Sequence, residues 1–300
     1  MKIPFTKPAL TCDQQVELLV SRGMAVTDRQ RAVKLLFQAN YYRLAGYWRA
    51  FEADSLTHQF RSGTTFEDIE SVYAFDATLR MLLFEAIQTI EVSLRSAVAY
   101  HLATQCGPFP WETNPNVWAD EFVDRNMKSV QAEITRTDEA FIKHMFSRYD
   151  IALPPIWATV EAISMGQLSR LYNGLKESRV KRSIAAEFGI DSTLLASWLH
   201  HLTVVRNICA HHGRFWNREF AITPKKPVRR PSSLAEAFST SRSSYNSMII
   251  TIYLTEIINP GSDYRMRLVQ SLSDHPEFIS YMGFPHDWRE FQIWKQTDAL

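Results

Sequence analysis

Along residues 66–103, Val72, Phe75, Leu79, Leu82, Ala86, Ile90, Ser93, Ala97 and Tyr100 return at alternating three- and four-residue steps. Steps of that size stack one face of a helix, so the segment predicts a single long amphipathic helix. The same period recurs in shorter pieces. A first helix is expected from the cap Thr11 to Gly23, with Val16, Leu19 and Val20 on its apolar face. A second starts near Asp28, carries Val33, Leu36 and Phe37, and runs into the aromatic cluster Tyr41–Trp48. Residues 52–65 read as a loop. Gly107-Pro108-Phe109-Pro110 ends the long helix, two helices fit within 118–148, and Leu153-Pro154-Pro155 marks another break. Helices are then expected over about 155–176, 179–188, 191–212 and 232–258.

The basic, proline-marked stretch Thr223–Pro231 is a loop, and a short mixed tail follows residue 260. Only ten glycines occur, and no alternating segments joined by Asn-Gly or Asp-Gly turns are present. The predicted fold class is all-α. It comprises an N-terminal helical segment over 1–60, a multi-helix bundle over 61–260, and a tail over 261–300 packed on the bundle.

Composition sets outer bounds. With 300 residues, 46% of them hydrophobic and 12% aromatic, the chain fills the core of one large domain or two smaller ones. A formal net charge of +1 gives no global field toward nucleic acid, so such binding must rest on local patches. The three cysteines Cys12, Cys106 and Cys209 are far apart and odd in number, which argues for a reducing compartment over a disulfide framework. Met1–Pro8 has no continuous apolar run, so no signal peptide is expected. The longest aliphatic run, Met248 to Leu254, is too short to span a bilayer. The expectation is a cytoplasmic protein with no membrane partner.

The chemistry concentrates in Arg206-Asn207-Ile208-Cys209-Ala210-His211-His212-Gly213. At about 100° per residue, Leu195, Trp198, Leu202, Val205, Cys209 and His212 fall within about 60° of one line, which makes them the buried stripe. His212 is therefore expected on the core side. Asn207 and His211 share the opposite, open face. Arg206 flanks the stripe, about 140° around from His211, but the five-residue rise of about 7.5 Å is within reach of a long side chain near a helix end. Gly213 is expected to let the last turn distort. Arginine holds phosphate through two hydrogen bonds, and histidine exchanges protons near neutral pH. Spacing by itself favours a surface arginine and a capping histidine over a site.

Arg206-Asn207-x-x-Ala210-His211, followed by His212-Gly213-Arg214-Phe215-Trp216-Asn217, resembles the signature of the HEPN superfamily and, within it, the Abi-like (AbiD/AbiF) abortive-infection proteins. Two other segments fit: Asn40–Trp48, and Phe75-Asp76-x-x-Leu79-Arg80-x-Leu82-Leu83 leading to Ile90-Glu91-Val92-x-Leu94-Arg95. The likeness runs in order and spacing over about residues 10–260. It implies a HEPN-type helical bundle whose arginine–histidine motif cleaves RNA without a metal or other cofactor, usually with two motifs meeting across a homodimer. His211 would act as general base or acid, and Arg206 would stabilise charge on phosphorus. Asn207 would orient His211 or contact phosphate. His212, Glu91 and Arg95 are supporting candidates, the last two as groups that fix Arg206 or His211.

Other residues have competing readings. His200-His201 and His211-His212 invite a metal, but eleven residues rise about 16 Å along a helix, and zinc ligands sit about 2 Å from the ion. No metal site is expected. Cys209 falls on the buried stripe and reads as a small core residue. Glu91 and Arg95 also fit a plain surface pair. The Tyr41–Trp48 rings suit core anchoring or stacking on unpaired bases. Arg214, Lys225, Lys226, Arg229 and Arg230 are weak candidates for phosphate contacts.

The functional expectation is a metal-independent endoribonuclease acting in phage defence or as a toxin, with an antitoxin or regulatory RNA as a further partner. The alternatives are an RNA-binding or scaffolding module without catalysis and, on the helix-rich region 10–50 alone, a DNA-binding regulator.

Overall fold

The computed structural model describes residues 4, 6, 8–113, 115–119 and 122–295. Most of the leader reading of Met1–Pro8 and the last five residues of the expected tail lie outside the described residues. Fifteen α-helices account for most of the described chain, and one two-stranded sheet is the exception. The architecture is all-α.

Local chemistry explains where the helices start. Thr11 opens α1 (Cys12–Ser21) with a capping box: its hydroxyl accepts from Gln14 N at 3.2 Å, and the Gln14 amide oxygen accepts from Thr11 N at 2.9 Å. Asp28 caps α2 (Arg29–Ala39) by accepting from Arg31 N at 2.9 Å. Asn40, at φ +65°, ends α2 and caps α3 (Tyr41–Trp48), so the aromatic cluster is a helix of its own. Helix α2 buries Ala32, Leu36 and Ala39 and exposes Phe37; Val20 of α1 is likewise exposed, against expectation. In both helices the buried face is narrower than the run of apolar residues.

Residues 52–65 are not wholly a loop. Glu52–Asp54 (β1) pairs antiparallel with Gln59–Phe60 (β2). The Asp54 carboxylate accepts from Leu56 N at 2.9 Å and from the Thr57 hydroxyl at 2.7 Å, closing the hairpin by a side-chain turn without the Asn-Gly signal.

Helix α4 (Phe66–Cys106) runs 41 residues. Its fully buried row includes Ile69, Val72, Leu79, Leu83, Ile87, Ile90, Leu94, Val98 and Leu102, whereas Tyr100 is 65% exposed. An ideal helix drifts about 20° per heptad against a strict 3.5-residue repeat. Four heptads separate Val72 from Tyr100, so the expected stripe walks off the core.

The chain forms two compact units, Met1–Thr78 and Leu79–Leu300, divided inside α4. In the first, α1 packs on α2, and the Tyr47 hydroxyl donates to the buried Asp76 carboxylate at 2.6 Å. Leu44, Tyr47 and Trp48 are buried, which makes the cluster chiefly a core anchor.

The second unit continues with α5 (Pro110–Thr113), α6 (Phe122–Arg136) and α7 (Ala140–Arg148). The helix expected over 155–176 is two, α8 (Ile156–Ala162) and α9 (Met165–Gly174). Ser164 separates them and caps α9, its hydroxyl accepting from Gln167 N. Next come α10 (Arg179–Ala186) and α11 (Ser192–Ala210). The span 232–258 also divides, into α12 (Ser232–Ala237) and α13 (Tyr245–Ile258), followed by α14 (Tyr264–Ser273) and α15 (Pro276–Ile279).

Helix α13 is buried almost all round, with Met248, Ile249, Ile250, Ile252 and Leu254 at zero exposure, as a central core helix should be. Helix α11 packs against α9, α10 and α13. No described helix is long and apolar enough to cross a membrane.

His201 joins α11 to its surroundings. A carbonyl only accepts, so Nδ1 donates to Ile222 O at 2.7 Å, and the neutral ring's Nε2 accepts from the Ser247 hydroxyl at 2.8 Å. Both nitrogens are spent on the core. Burial lowers its pKa from 6.5 to about 4. Between those values the folded chain binds fewer protons than the unfolded chain, so this contribution is full above pH 6.5 and is lost as pH falls toward 4. Its ceiling is about 3 kcal/mol. Urea midpoints of wild type and His201→Gln, followed from about pH 7 to about pH 4.5, should therefore converge as the solution is acidified. A gap that stays constant or widens would show that another group titrates.

Candidate functional site

Asp191 starts the site helix α11 by accepting from Thr193 N at 2.8 Å and Leu194 N at 2.9 Å. The expected stripe is present: Leu195, Trp198, Leu202 and Val205 are fully buried, and Cys209 is 6% exposed. At this position Cys209 is a core residue.

The helix stops at Ala210, two residues before the stripe would reach His212. His211 is the C-cap, with φ −95° and ψ 14°, and its backbone N–H donates to Asn207 O at 3.0 Å. His212 takes φ +55°, and Gly213 N returns to Ile208 O at 2.8 Å, a left-handed termination. His212 is exposed, not core-facing, because helical phase no longer applies beyond Ala210. The left-handed residue is His212 rather than Gly213. Gly213 instead makes a close approach: an added Cβ would sit 3.4 Å from Ile208 O and 3.5 Å from Ile208 Cγ2.

Arg206 and His211 then diverge. His211 and Asn207 are exposed, and the His211 ring has no hydrogen bond or ion pair among the described residues. Arg206 turns toward α4. Its Nε lies 3.8 Å from Glu91 Oε2, beyond hydrogen-bond range, and is buried with no hydrogen-bond partner among the described residues. The other Glu91 oxygen accepts from Arg95 Nη2, and Arg95 Nη1 donates to Val160 O in α8. Glu91 and Arg95 are therefore not a surface pair: their side chains are 13% and 11% exposed. One carboxylate stands between two guanidinium groups. The terminal nitrogens of Arg206 make no hydrogen bond among the described residues, and its side chain stays 33% exposed.

These groups line a half-open pocket of about 210 Å³ with Phe84, Gln88 and Val92. The Arg206 guanidinium carbon lies 6.0 Å from the centre of the Phe84 ring. His211 is not part of the pocket wall. Sequence reasoning missed Phe84, Gln88 and Val92. The available signal was their spacing, since residues four apart share a helix face, and this face carries apolar side chains outside the buried row of α4.

A family model for Abi-like proteins matches residues 34–217, well over half the chain. The chain belongs to the Abi-like protein family. The matched span covers the whole constellation, from the Asn40–Trp48 segment through Glu91 and Arg95 to Arg206 and His211, and it ends at Asn217. No curated protein and no solved structure matches the chain.

The remaining cations of this Abi-like chain have different settings. Arg214 is turned onto the backbone of the segment after α11, donating to Trp216 O at 2.8 Å and Asn217 O at 2.5 Å. Phe215 and Trp216 are fully buried, and the Trp216 indole donates to Phe278 O at 3.0 Å. Lys225, Lys226, Arg229 and Arg230 are exposed around the buried Pro224 and Pro227. Their loop is seated on α11: the Trp198 indole donates to Lys225 O at 2.9 Å, and Lys225 N donates to the Ser197 hydroxyl at 2.8 Å.

The two arginines flanking Glu91 should respond differently to mutation. Glu91→Ala leaves Arg95 mostly buried beside a second cation, and we expect a loss of about 2 kcal/mol, discounted for partial exposure. Arg206→Ala should cost less than about 0.5 kcal/mol, since its ion pair is long and Arg206 is partly exposed. Chemical denaturation of both variants measures this. Equal losses would mean that Arg206 is held for stability.

Proposed function

We propose that this Abi-like protein is a metal-independent endoribonuclease that acts in the cytoplasm as a homodimer, in phage defence by abortive infection or as a toxin. The observation that carries the reading is Arg206. Within an Abi-like frame, it is steadied on its Nε side by a mostly buried carboxylate while its terminal fork stays open in the wall of a pocket. Such a fork matches two phosphate oxygens.

In the proposed reaction, His211 removes the proton of a ribose 2′-OH, and the freed oxygen attacks the adjacent phosphorus. Arg206 stabilises the negative charge that develops on the phosphorane. The bond from phosphorus to the 5′-oxygen then breaks, and that oxygen takes a proton from the partner protomer's histidine. The products are a 2′,3′-cyclic phosphate and a 5′-hydroxyl. Proton transfer and charge neutralisation are the only two demands of this chemistry, and histidine and arginine meet both. An antitoxin or regulatory RNA would hold such an activity in check.

One observation favours a second reading, RNA binding without cleavage: His211 is not among the residues that line the Arg206 pocket. Incubating RNA with the protein in EDTA separates the two. Cleavage should leave 2′,3′-cyclic ends, and His211→Ala should slow it by about 10²–10⁴-fold with RNA binding retained. Arg206→Lys, which keeps the charge but loses the fork, should slow it by about 10²-fold or more. RNA left equally intact by wild type and His211→Ala, under conditions where expression of either arrests growth, would establish the binding reading.

A further inference from the structure

The pocket on α4 carries more than an anion needs. Of its polar walls, Glu91 and Arg95 are engaged with each other, and Arg95 also with Val160 O. Two groups stay open. One is the terminal fork of Arg206. The other is the Gln88 carboxamide, exposed and without a hydrogen bond among the described residues. The same pocket presents two apolar surfaces, Phe84 at 37% exposure and Val92 at 58% exposure. Exposed apolar side chains gathered beside a cation on one helix face, where Met81 is also 73% exposed, mark a surface that something covers.

The set is specific in kind. A cationic fork suits phosphate, an aromatic face suits a flat ring, and a primary amide, with two donors and one acceptor group, suits the mixed edge of a base. At about 210 Å³ the pocket falls below the about 300–1,000 Å³ typical of sites that enclose a whole small molecule. That size fits one moiety of a longer ligand.

We propose that this pocket is a single-nucleotide subsite for RNA. The base rests on Phe84 and Val92, its edge is read by the Gln88 amide, and its phosphate lies on the Arg206 fork. The assignment rests on the reading of the protein as RNA-directed, but not on cleavage. It makes Phe84 and Gln88 binding residues, with Glu91 positioning Arg206 through Coulomb attraction. Base choice in the bound strand is then set by α4, and the arginine–histidine motif supplies charge and proton transfer.

The test uses fluorescently labelled 2′-O-methyl RNA decamers of each base and an abasic decamer with the same backbone. A methylated 2′-oxygen cannot attack phosphorus, so binding is read apart from catalysis. Wild-type protein should bind at least one base-bearing strand about 10-fold more tightly than the abasic strand. Phe84→Leu keeps apolar bulk but removes the stacking face, and it should erase most of that advantage while leaving abasic binding unchanged. Unchanged abasic binding also shows that Arg206 is still in place. Gln88→Ala should narrow the differences among the four bases.

Equal affinity for abasic and base-bearing strands, an equal loss on both with Phe84→Leu, or no binding to any strand would overturn the subsite. Base-dependent binding that passes these tests without any cleavage of unmodified RNA would overturn the endoribonuclease reading instead and leave the subsite standing.

Discussion

The candidate site depends on how one carboxylate is divided between two arginines. Glu91 gives one oxygen to Arg95, which is also tied to the Val160 carbonyl, and faces Arg206 Nε with the other at 3.8 Å. The first interaction is structural: both groups are mostly buried, and a buried charge is tolerated only when paired. The second is of another kind. At that distance there is attraction without a directional hydrogen bond, so Arg206 is held near α4 while its terminal N–H groups keep their capacity to donate. A well-formed bidentate pair would have consumed the fork, and no counter-charge at all would have left a long, mobile side chain. The observed arrangement lies between those limits.

The end of α11 is the second constraint. The helix delivers Arg206 to α4 on its last turn but one, then terminates by the left-handed His212 and the Gly213-to-Ile208 bond. That termination sends both histidines outward and turns the chain into the buried Phe215–Trp216 pair, whose indole is bonded to the Phe278 carbonyl. Arg206 and His211, close in sequence, are thereby given different surroundings, one in a pocket wall and one in open solvent. The pocket that Arg206 lines does not include His211 in its wall. In the proposed homodimer, a second histidine from the other chain would be available to the phosphate held by Arg206.

Much of the fold was legible because helix chemistry is local. Thr11, Asp28 and the proline-marked breaks act within a few residues of where they stand, and the stripe on α11 was correct from Leu195 to Cys209. Errors appeared where a local rule was extended too far. A strict heptad count runs the α4 stripe out to the exposed Tyr100, and helical phase does not extend to His212, which lies past the helix end at φ +55°. The hairpin at Glu52–Phe60 was missed because a side-chain turn at Asp54 stands in for the usual dipeptide. The pocket was illegible for a different reason. Its two walls, Phe84–Arg95 and Arg206, are more than a hundred positions apart in the chain, and periodicity says which face a residue lies on without saying what that face meets.

Charge balance links the site to its ligand. The whole chain carries a formal +1, and the pocket wall, with Glu91 set against Arg95 and Arg206, also sums to a single positive charge. Phosphate attraction alone is weakened by salt and is the same for every nucleotide in a strand. One net cation is therefore poorly suited to choosing where on an RNA to bind. Selectivity has to come from groups that respond to the base, and the exposed Phe84 ring and the uncommitted Gln88 amide are the ones present beside Arg206. A weakly cationic pocket with a stacking face favours recognition over simple capture, and this is the division of labour expected if one arginine must both help hold a strand and act on a single phosphodiester within it.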